Sequence, residues 1–381
     1  MSSLDDQLQA DLEQREKSCL RRSLRVVPPG VLDLAANDYL GLSQHPAVIE
    51  AACEATRNYG AGARASRLVS GHIPLHTQLE EELAAFKGCE ASLVFPSGYQ
   101  ANLSLITSLA GEQDVLLCDK RNHASLIDAV RLAGQQNTTV RFYDSWTKLR
   151  ALLERYSQAR QRFVVTDAVF SMDGDVVDLP QLFALACEFE AYIILDDAHG
   201  TGTLGLTGRG AMEHYGLKNE AGIERFIQMG TLSKAVGSQG GFVAGSRLLI
   251  EWLVNAARPF IYTTGLNPAA CGAALAALKI IQGEPQHLAR LREVTQRLAS
   301  GLIALGFAAR QQPSPIIPVI VGDEQPALAL SDALLRHGVW CPAIRPPTVP
   351  GGTSRLRVTA SAALNDSEID RILDVFNTTK Y

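Results

Sequence analysis

Lys234 stands out because it is the only charged residue in a stretch of small and uncharged ones. Residues 228–241 read QMGTLSKAVGSQGG, and an apolar run that predicts a strand leads into them. A lysine held in a tight pocket away from water can have its pKa lowered until the amine acts as a nucleophile. Small neighbours leave room for a flat molecule against the backbone. The plain alternative is a solvated loop lysine, which Lys234 taken alone favours.

Three other predicted strands are also followed by residues that can do chemistry. Asp196 ends an apolar run and precedes Asp197 and His199, His123 follows a second run, and Ser97-Gly98-Tyr99 follows a third. Each has an ordinary explanation: a turn aspartate, a helix cap or a strand-to-helix turn. Metal binding by the Asp196 group is a further alternative, but no other His or Cys stands at metal-ligand spacing.

Taken together, the four positions predict a pyridoxal-phosphate site. The carboxyl ends of parallel strands meet at one edge of a sheet, so these residues would share a crevice. Pyridoxal phosphate needs a lysine for covalent attachment, an acid for its pyridine nitrogen and a phosphate site. Small residues at a helix N-terminus supply the last of these. The sequence lacks the GxSxG, GxxxxGK[ST], HExxH and GxGxxG motifs of hydrolases, nucleotide-binding proteins, zinc proteases and dehydrogenases.

The pattern from residue 90 onward predicts a mostly parallel sheet covered by helices on both faces. Nearly continuous apolar runs alternate with segments of helical length, as such a sheet requires. The predicted strands are ASLVF, DVLLC, TTVRFY, RFVVTDAVF, AYIILDD, RFIQMG and GGFVAG. Long helices are predicted over 267–303, followed by a smaller region in which VWCPAI and SRLRVTA read as strands. Three regions are therefore expected: an N-terminal helical arm (1–40), a large cofactor-binding domain (41–280) and a small C-terminal domain (281–381).

Composition and the N-terminal segment favour a soluble, cytoplasmic protein. The chain of 381 residues is 46% hydrophobic and 20% charged, with a net charge of −5, which disfavours nucleic-acid binding. Seven cysteines without a CxxC pair favour reduced thiols. Leu4, Leu8, Leu12 and Leu20 predict an amphipathic helix that packs on another surface, such as a partner subunit. Nothing in the sequence indicates a signal peptide or a membrane span.

Eight motifs, in order, give the chain a close resemblance to the α-oxoamine synthases. These pyridoxal-phosphate enzymes have the aspartate-aminotransferase fold (fold type I) and are acyltransferases that condense an amino acid with an acyl thioester, with loss of carbon dioxide. The resemblance runs from about residue 20 to the C-terminus. The motifs are NDYLGL (37–42), SRLVSG (66–71), SGYQAN (97–102), NHASL (122–126), VFSMDGD (169–175), DDAHGTG (196–202), TLSKAVG (231–237) and IYTTGLNPA (261–269).

The resemblance also implies roles for individual residues. Lys234 would attach the cofactor and act as the acid–base group, Asp196 would pair with the pyridine nitrogen, and His123 would stack on the ring. Thr263 and Thr264 would reach the phosphate from the other subunit of a homodimer. The implied cofactor-binding residues are Ser97, Gly98, Tyr99, His123, Ser171, Asp196, His199, Thr231, Lys234, Thr263 and Thr264, and the implied substrate-binding residues are Arg21, Asn37 and Arg357.

Residues 344–359, IRPPTVPGGTSRLRVT, resemble the members of this family that use L-alanine and a pimeloyl thioester. The thioester would be carried by coenzyme A or by acyl carrier protein. Two positions depart from that subgroup: Asp167 stands where a glutamate is expected, and Arg64 lies within a glycine-rich turn. A family member that uses glycine or serine is the alternative.

Overall fold

The computed structural model describes residues 3–18, 20–217 and 220–380. The helices are α1 Leu4–Lys17, α2 Pro46–Tyr59, α3 Pro74–Lys87, α4 Gly98–Leu109, α5 Ala124–Gly134, α6 Trp146–Arg155, α7 Leu179–Glu188, α8 Ala211–His214, α9 Arg247–Ala256, α10 Arg258–Ile261, α11 Pro268–Gly283, α12 Pro285–Ala304, α13 Glu324–Arg336 and α14 Asp366–Thr379. The strands are β1 Leu32–Asp33, β2 Ala91–Phe95, β3 Val115–Asp119, β4 Thr139–Tyr143, β5 Arg162–Asp167, β6 Tyr192–Asp196, β7 Phe226–Thr231, β8 Gly241–Gly245, β9 Ala308–Ala309, β10 Ile316–Gly322, β11 Val339–Trp340, β12 Ala343–Ile344 and β13 Ser354–Thr359.

A seven-stranded sheet forms the centre of the molecule, in the order β2-β8-β7-β6-β5-β3-β4. The pairings along β7-β6-β5-β3-β4 are all parallel, and β8 runs antiparallel to both of its neighbours. Every residue of β3, β5, β7 and β8 is buried, as expected when helices cover both faces of a sheet. The prediction of a mostly parallel, doubly covered sheet is therefore confirmed.

One predicted strand of this sheet is too long. The apolar run RFVVTDAVF predicts a strand to Phe170, but β5 ends at Asp167 and the chain then turns, with an isolated bridge between Val169 and Val176. Apolar residues continue past the strand end because Ala168, Val169 and Phe170 are themselves buried in the core. The early end places Asp167 at the edge of the sheet, level with Asp196 on β6.

The C-terminal region contains a second sheet of four strands, in the order β12-β13-β10-β9, with α13 and α14 packed nearby. The single strand predicted for VWCPAI is wrong. Two short strands replace it: β11 pairs with β1 near the N-terminus, and β12 pairs with β13. Pro342 lies between them and has no amide hydrogen for a continuous ladder. The division into an arm and two domains stays a prediction.

The predicted N-terminal helix is present as α1, but it ends at Lys17, before Leu20. Its leucines are exposed rather than packed on this chain: Leu4, Leu8 and Leu12 keep 68%, 49% and 40% of their surface. Their packing on a partner surface stays a prediction. Within the described residues, no helix combines the length and the apolar character needed to cross a bilayer.

Candidate active site

The predicted site residues meet where the strands of the central sheet end. The ends of β2, β5, β6 and β7 and the loop after β3 open into one cavity of about 260 Å³, here called the cofactor cavity. The residues that line it are Ser97, Gly98, Tyr99, Asn102, His123, Ser125, Asp167, Asp196, Ala198, His199, Met229, Thr231, Ser233 and Lys234.

Lys234 lies three residues beyond the end of β7, in the short connection to β8. Burial lowers the pKa of its amine to about 8, although nearby Asp196 and Asp167 act in the opposite direction. Arg357 lowers that pKa further. The Nζ atom lies 3.0 Å from Nε2 of His199. Because an amine with this pKa is partly uncharged near neutral pH, Lys234 can act as a nucleophile or a base.

Asp196 is the last residue of β6 and is almost fully buried. Its Oδ2 accepts a hydrogen bond of 2.7 Å from Asn102 Nδ2, and its Oδ1 accepts one of 3.0 Å from the Ala198 amide. Among the ion pairs of the described residues, none includes Asp196. A buried carboxylate that is hydrogen-bonded but not ion-paired is suited to a cationic group in the cavity.

The neighbouring Asp197 has a different environment. It forms an ion pair of 2.7 Å with Lys87, at the end of α3, and both side chains are completely buried. It also accepts a hydrogen bond from the Ala211 amide. Asp197 therefore joins three parts of the fold and does not line the cofactor cavity, so the ordinary structural explanation holds for this residue.

His123 combines the two roles considered for it. It is the N-cap of α5, with Nδ1 accepting from the Ser125 amide at 3.2 Å, and its ring also lines the cofactor cavity. Burial lowers the pKa of its imidazole, with Asp196 opposing the shift. A neutral, flat ring at this place can lie against an aromatic ligand.

Asp167 is a carboxyl group of the cavity to which the sequence gave no role. Its Oδ2 accepts from the His123 amide at 2.6 Å, and its own amide donates to Asn122 Oδ1 at 2.9 Å. Burial raises the pKa of Asp167 well above its ordinary value, and the charge of Asp196 raises it further. Its position at a strand end was the available signal.

The N-terminus of α4 forms the predicted phosphate site. Ser97 caps the helix by accepting from the Gln100 amide at 3.2 Å. Gly98 faces the end of β7 so closely that a Cβ there would lie 3.0 Å from Met229 Cε and 3.5 Å from Thr231 Oγ1. Thr231 in turn lies 2.8 Å, oxygen to oxygen, from Ser233. Free amides at a helix start, next to two hydroxyls, suit an anion.

Arg357 lies on β13 and reaches the N-terminal motif NDYLGL. It donates to Ser171 O at 2.6 Å, to Asn37 Oδ1 at 3.1 Å and to Tyr39 Oη at 3.2 Å. Arg355, two residues earlier on the same strand, is ion-paired with Asp173 instead. The two arginines therefore have separate partners, and Arg357 is the one connected to other predicted site residues.

Some predicted residues lie outside the cofactor cavity. Ser171 contributes its carbonyl to Arg357, and Thr263 accepts from Gln100 Nε2 at 3.2 Å beside α4 of its own chain. Thr264 is exposed. Their predicted contacts with the cofactor stay predictions.

Arg21 lies at a second and larger cavity, about 710 Å³, here called the arginine groove. Its side chain is 51% exposed and pairs with Glu16 at 3.0 Å. None of the residues described above lines this groove, so the larger cavity is not the one that gathers reactive groups. The groove is lined by Leu12, Arg15, Leu20, Arg21, Arg22, Ala343, Ile344, Arg345, Pro346, Pro347 and Thr348.

Comparison with known proteins identifies the family. The model of the aminotransferase class I and II family matches residues 29–376. A putative 8-amino-7-oxononanoate synthase of Desulforudis audaxviator is 48% identical, over 96% of this chain and 97% of the relative. The 8-amino-7-oxononanoate synthase of Thioalkalivibrio sulfidiphilus is 45% identical, over 97% and 96%. These matches confirm the family resemblance.

Solved structures confirm the expected fold. Serine palmitoyltransferase of Sphingomonas wittichii is 30% identical and superposes with a TM-score of 0.90, covering 99% of this chain and 98% of that one. A variant serine palmitoyltransferase from S. paucimobilis, with a bound PLP–myriocin aldimine, is 29% identical with a TM-score of 0.89, covering 98% and 96%. The fold is therefore that of the fold type I, aspartate-aminotransferase-like proteins.

Proposed function

Because the chain belongs to the 8-amino-7-oxononanoate synthase family, within aminotransferase class I and II, we propose that it is a pyridoxal-phosphate-dependent acyltransferase of biotin biosynthesis. It condenses L-alanine with a pimeloyl thioester and releases 8-amino-7-oxononanoate, carbon dioxide and the free thiol. The observation that carries the proposal is that the Lys234 amine, the Asp196 carboxylate and the N-terminus of α4 line one cavity.

The residues of the cofactor cavity fit pyridoxal phosphate. Lys234 would hold it covalently, Asp196 would bind its ring nitrogen, and His123 would cover its ring. The α4 N-terminus with Thr231 would bind its phosphate, since the close approach at Gly98 leaves backbone amides accessible there. When bound, this cofactor supplies an electron-accepting ring that stabilises negative charge at the Cα atom of an amino acid.

The remaining tasks belong to the side chains of the protein. Arg357 binds the carboxylate of alanine, because its planar guanidinium can donate two parallel hydrogen bonds. Lys234 moves the proton at Cα, a task suited to an amine whose pKa is about 8. Asp196 keeps its negative charge next to the ring nitrogen, and its two hydrogen bonds, from Asn102 and Ala198, hold it in place.

A comparison of substrates tests this proposal. Steady-state rates are measured with alanine, glycine and serine, each with pimeloyl-CoA and with pimeloyl-acyl carrier protein. Alanine is expected to be preferred by at least tenfold with one of the two pimeloyl donors. Equal or faster turnover of glycine or serine would contradict the assignment, and the ratio between the donors identifies the thioester.

The second candidate is a condensing enzyme that uses serine or glycine with another acyl thioester. The high structural similarity to serine palmitoyltransferases, with TM-scores of 0.89 and 0.90, favours it. Sequence identity favours the alanine enzyme, since those structures are 29% and 30% identical whereas the synthases named above are 48% and 45% identical.

We further propose that the protein acts in the cytoplasm as a homodimer whose sites share residues. Several apolar side chains remain exposed on this chain, among them Leu68, Val69 and Tyr262, at 53%, 80% and 72% of their surface. Two of these lie in the SRLVSG motif and the third directly precedes Thr263 and Thr264. Exposed apolar surface of this kind is typical of a protein interface.

Mixed dimers test the sharing of sites. Lys234→Ala subunits are combined with Thr263→Ala/Thr264→Ala subunits, after each homodimer has been shown to be impaired. If the threonines serve the partner's site, a mixed dimer contains one intact site and recovers activity. Absence of recovery in mixed dimers demonstrated by mass spectrometry would indicate self-contained sites.

A further inference from the structure

A buried hydrogen-bond network connects Lys234 to Arg357 through two residues of the interior. Lys234 Nζ lies 3.0 Å from His199 Nε2, and His199 Nδ1 lies 2.6 Å from Tyr39 Oη. Arg357 Nη2 donates to the same tyrosine oxygen at 3.2 Å and to Asn37 Oδ1 at 3.1 Å. Tyr39 also contacts Asn37 Oδ1, at 3.1 Å, and has no exposed surface.

Counting protons gives the network one direction at neutral pH. Burial lowers the pKa of His199 well below its ordinary value, so its ring is neutral and carries one proton. Below a pKa of about 8, Lys234 is mainly an ammonium ion and can only donate, so Nε2 of His199 is the acceptor. The ring proton is therefore on Nδ1 and points to Tyr39. The hydroxyl proton of Tyr39 then points to Asn37.

We propose that Tyr39 is a positioning residue that holds His199 in its Nδ1–H tautomer and thereby keeps Nε2 available as the acceptor for Lys234. Arg357 donates to the same hydroxyl oxygen. The tyrosine thus joins the group that binds the carboxylate of the substrate to the group that moves its proton. That description of the two ends rests on the proposed function, whereas the tautomer itself does not.

The network matters because few other groups stabilise the charged form of Lys234. Asp196 and Asp167 face the amine and favour its ammonium form, while burial and Arg357 oppose it. An acceptor at Nε2 adds to the first side of this balance. In the other tautomer, Nε2 carries a proton and can only accept the lone pair of a neutral amine, so the charged form of Lys234 loses a partner.

The first test measures the tautomer in the full-length wild-type protein without cofactor or substrate. Histidine labelled with ¹⁵N is examined by NMR at pH 7, and the His199 signals are identified by their loss in His199→Gln. The expected result is a protonated Nδ1 and an unprotonated Nε2. A protonated Nε2 would overturn the proposal, whatever reaction the enzyme catalyses.

The second test removes only the hydroxyl, with Tyr39→Phe. His199 then has no acceptor for its Nδ1 proton, so the Nε2–H tautomer is expected. The pKa of Lys234, followed by NMR of labelled lysine, is expected to fall by roughly half to one unit, the equivalent of one hydrogen bond. With cofactor bound, the pH profile of kcat should shift in the same direction.

Tyr143→Phe is the matched control, since Tyr143 is also buried, at the end of β4 outside the network. It should leave the His199 tautomer and the Lys234 pKa unchanged. If Tyr39→Phe folds and leaves both unchanged too, the proposal is wrong. If Tyr39→Phe does not fold, the tautomer of the wild-type protein decides.

Discussion

The cofactor cavity and the arginine groove differ in what holds their charged groups in place. In the cavity, Lys234 and Asp196 contact partners from distant parts of the chain: Lys234 Nζ lies 3.0 Å from His199, and Asp196 accepts from Asn102 at 2.7 Å. In the groove, Arg21 is half exposed and its ion pair is with Glu16, five residues earlier in the sequence.

The difference separates chemistry from attraction. Buried groups have protonation states set by fixed neighbours, as the lowered pKa of Lys234 shows, and they do not need to reorganise during a reaction. Exposed arginines are screened by water and salt, so each contributes little on its own. We therefore expect substitutions in the cavity to have large effects on turnover, and substitutions in the groove to have small effects on substrate affinity.

The largest effect is expected for Lys234→Ala. It removes both the covalent link to the cofactor and the base for the Cα proton, so turnover should fall by at least about 10³-fold. Borohydride treatment of the wild-type holoenzyme should fix the cofactor to the one peptide that contains TLSKAVG, as seen by mass spectrometry. Labelling of another lysine would place the reactive amine elsewhere.

The adjacent residues Asp196 and Asp197 provide the next test. Asp196→Asn should retain the fold and the cofactor but lose turnover by at least about a hundredfold, because an amide supplies no charge for the ring nitrogen. A rate within roughly tenfold of the parent, about 1.4 kcal/mol in the barrier, would show that Asp196 is not the ring partner.

Asp197→Asn is the matched variant, with the opposite expectation. It leaves Lys87 buried without its anion, so the free energy of unfolding should fall by about 3–5 kcal/mol. The fraction that remains folded should keep most of its turnover, since Asp197 does not line the cavity. Denaturant unfolding and activity per folded molecule separate the two effects.

Arg357→Lys should mainly weaken the binding of alanine. A lysine keeps the charge but loses the planar pair of donors, so the alanine concentration for half-maximal spectral change should rise about tenfold or more. The visible spectrum without alanine should be unchanged. Arg355→Lys is the control, because Arg355 is ion-paired with Asp173. Loss of affinity only in the Arg355 variant would move the carboxylate site by one strand repeat.

Most of the cofactor cavity could be predicted from the sequence because its residues follow apolar runs. The ends of β6 and β7 are visible as the points where such runs meet Asp196 and the glycine-rich segment around Lys234. Parallel strands bring these ends together wherever the helices between them lie. Local pattern and global position therefore carry the same information in this part of the chain.

The network around Tyr39 could not be predicted in that way. Arg357 and Tyr39 are 318 residues apart, and Tyr39 and His199 are 160 apart, so no local period relates them. The role of Asp167 was missed for a related reason: the apolar run continues past it and hides the end of β5. Contacts made by folding the C-terminal sheet onto the N-terminal motif need the structure.

The smallest effect is expected for Arg21→Ala, in the arginine groove. The family resemblance places Arg21 on the acyl side, and the groove offers three further arginines that would remain in the variant. An exposed charge pair is worth about 0–1 kcal/mol, so the KM for the pimeloyl thioester should rise by no more than about fivefold. The KM for alanine and the cofactor spectrum should be unchanged. Arg131→Ala, at an exposed position on α5, is the control and should leave all three unchanged. A loss of kcat of a hundredfold or more in Arg21→Ala would show that the groove takes part in the chemistry, and the separation between the two regions would then be wrong.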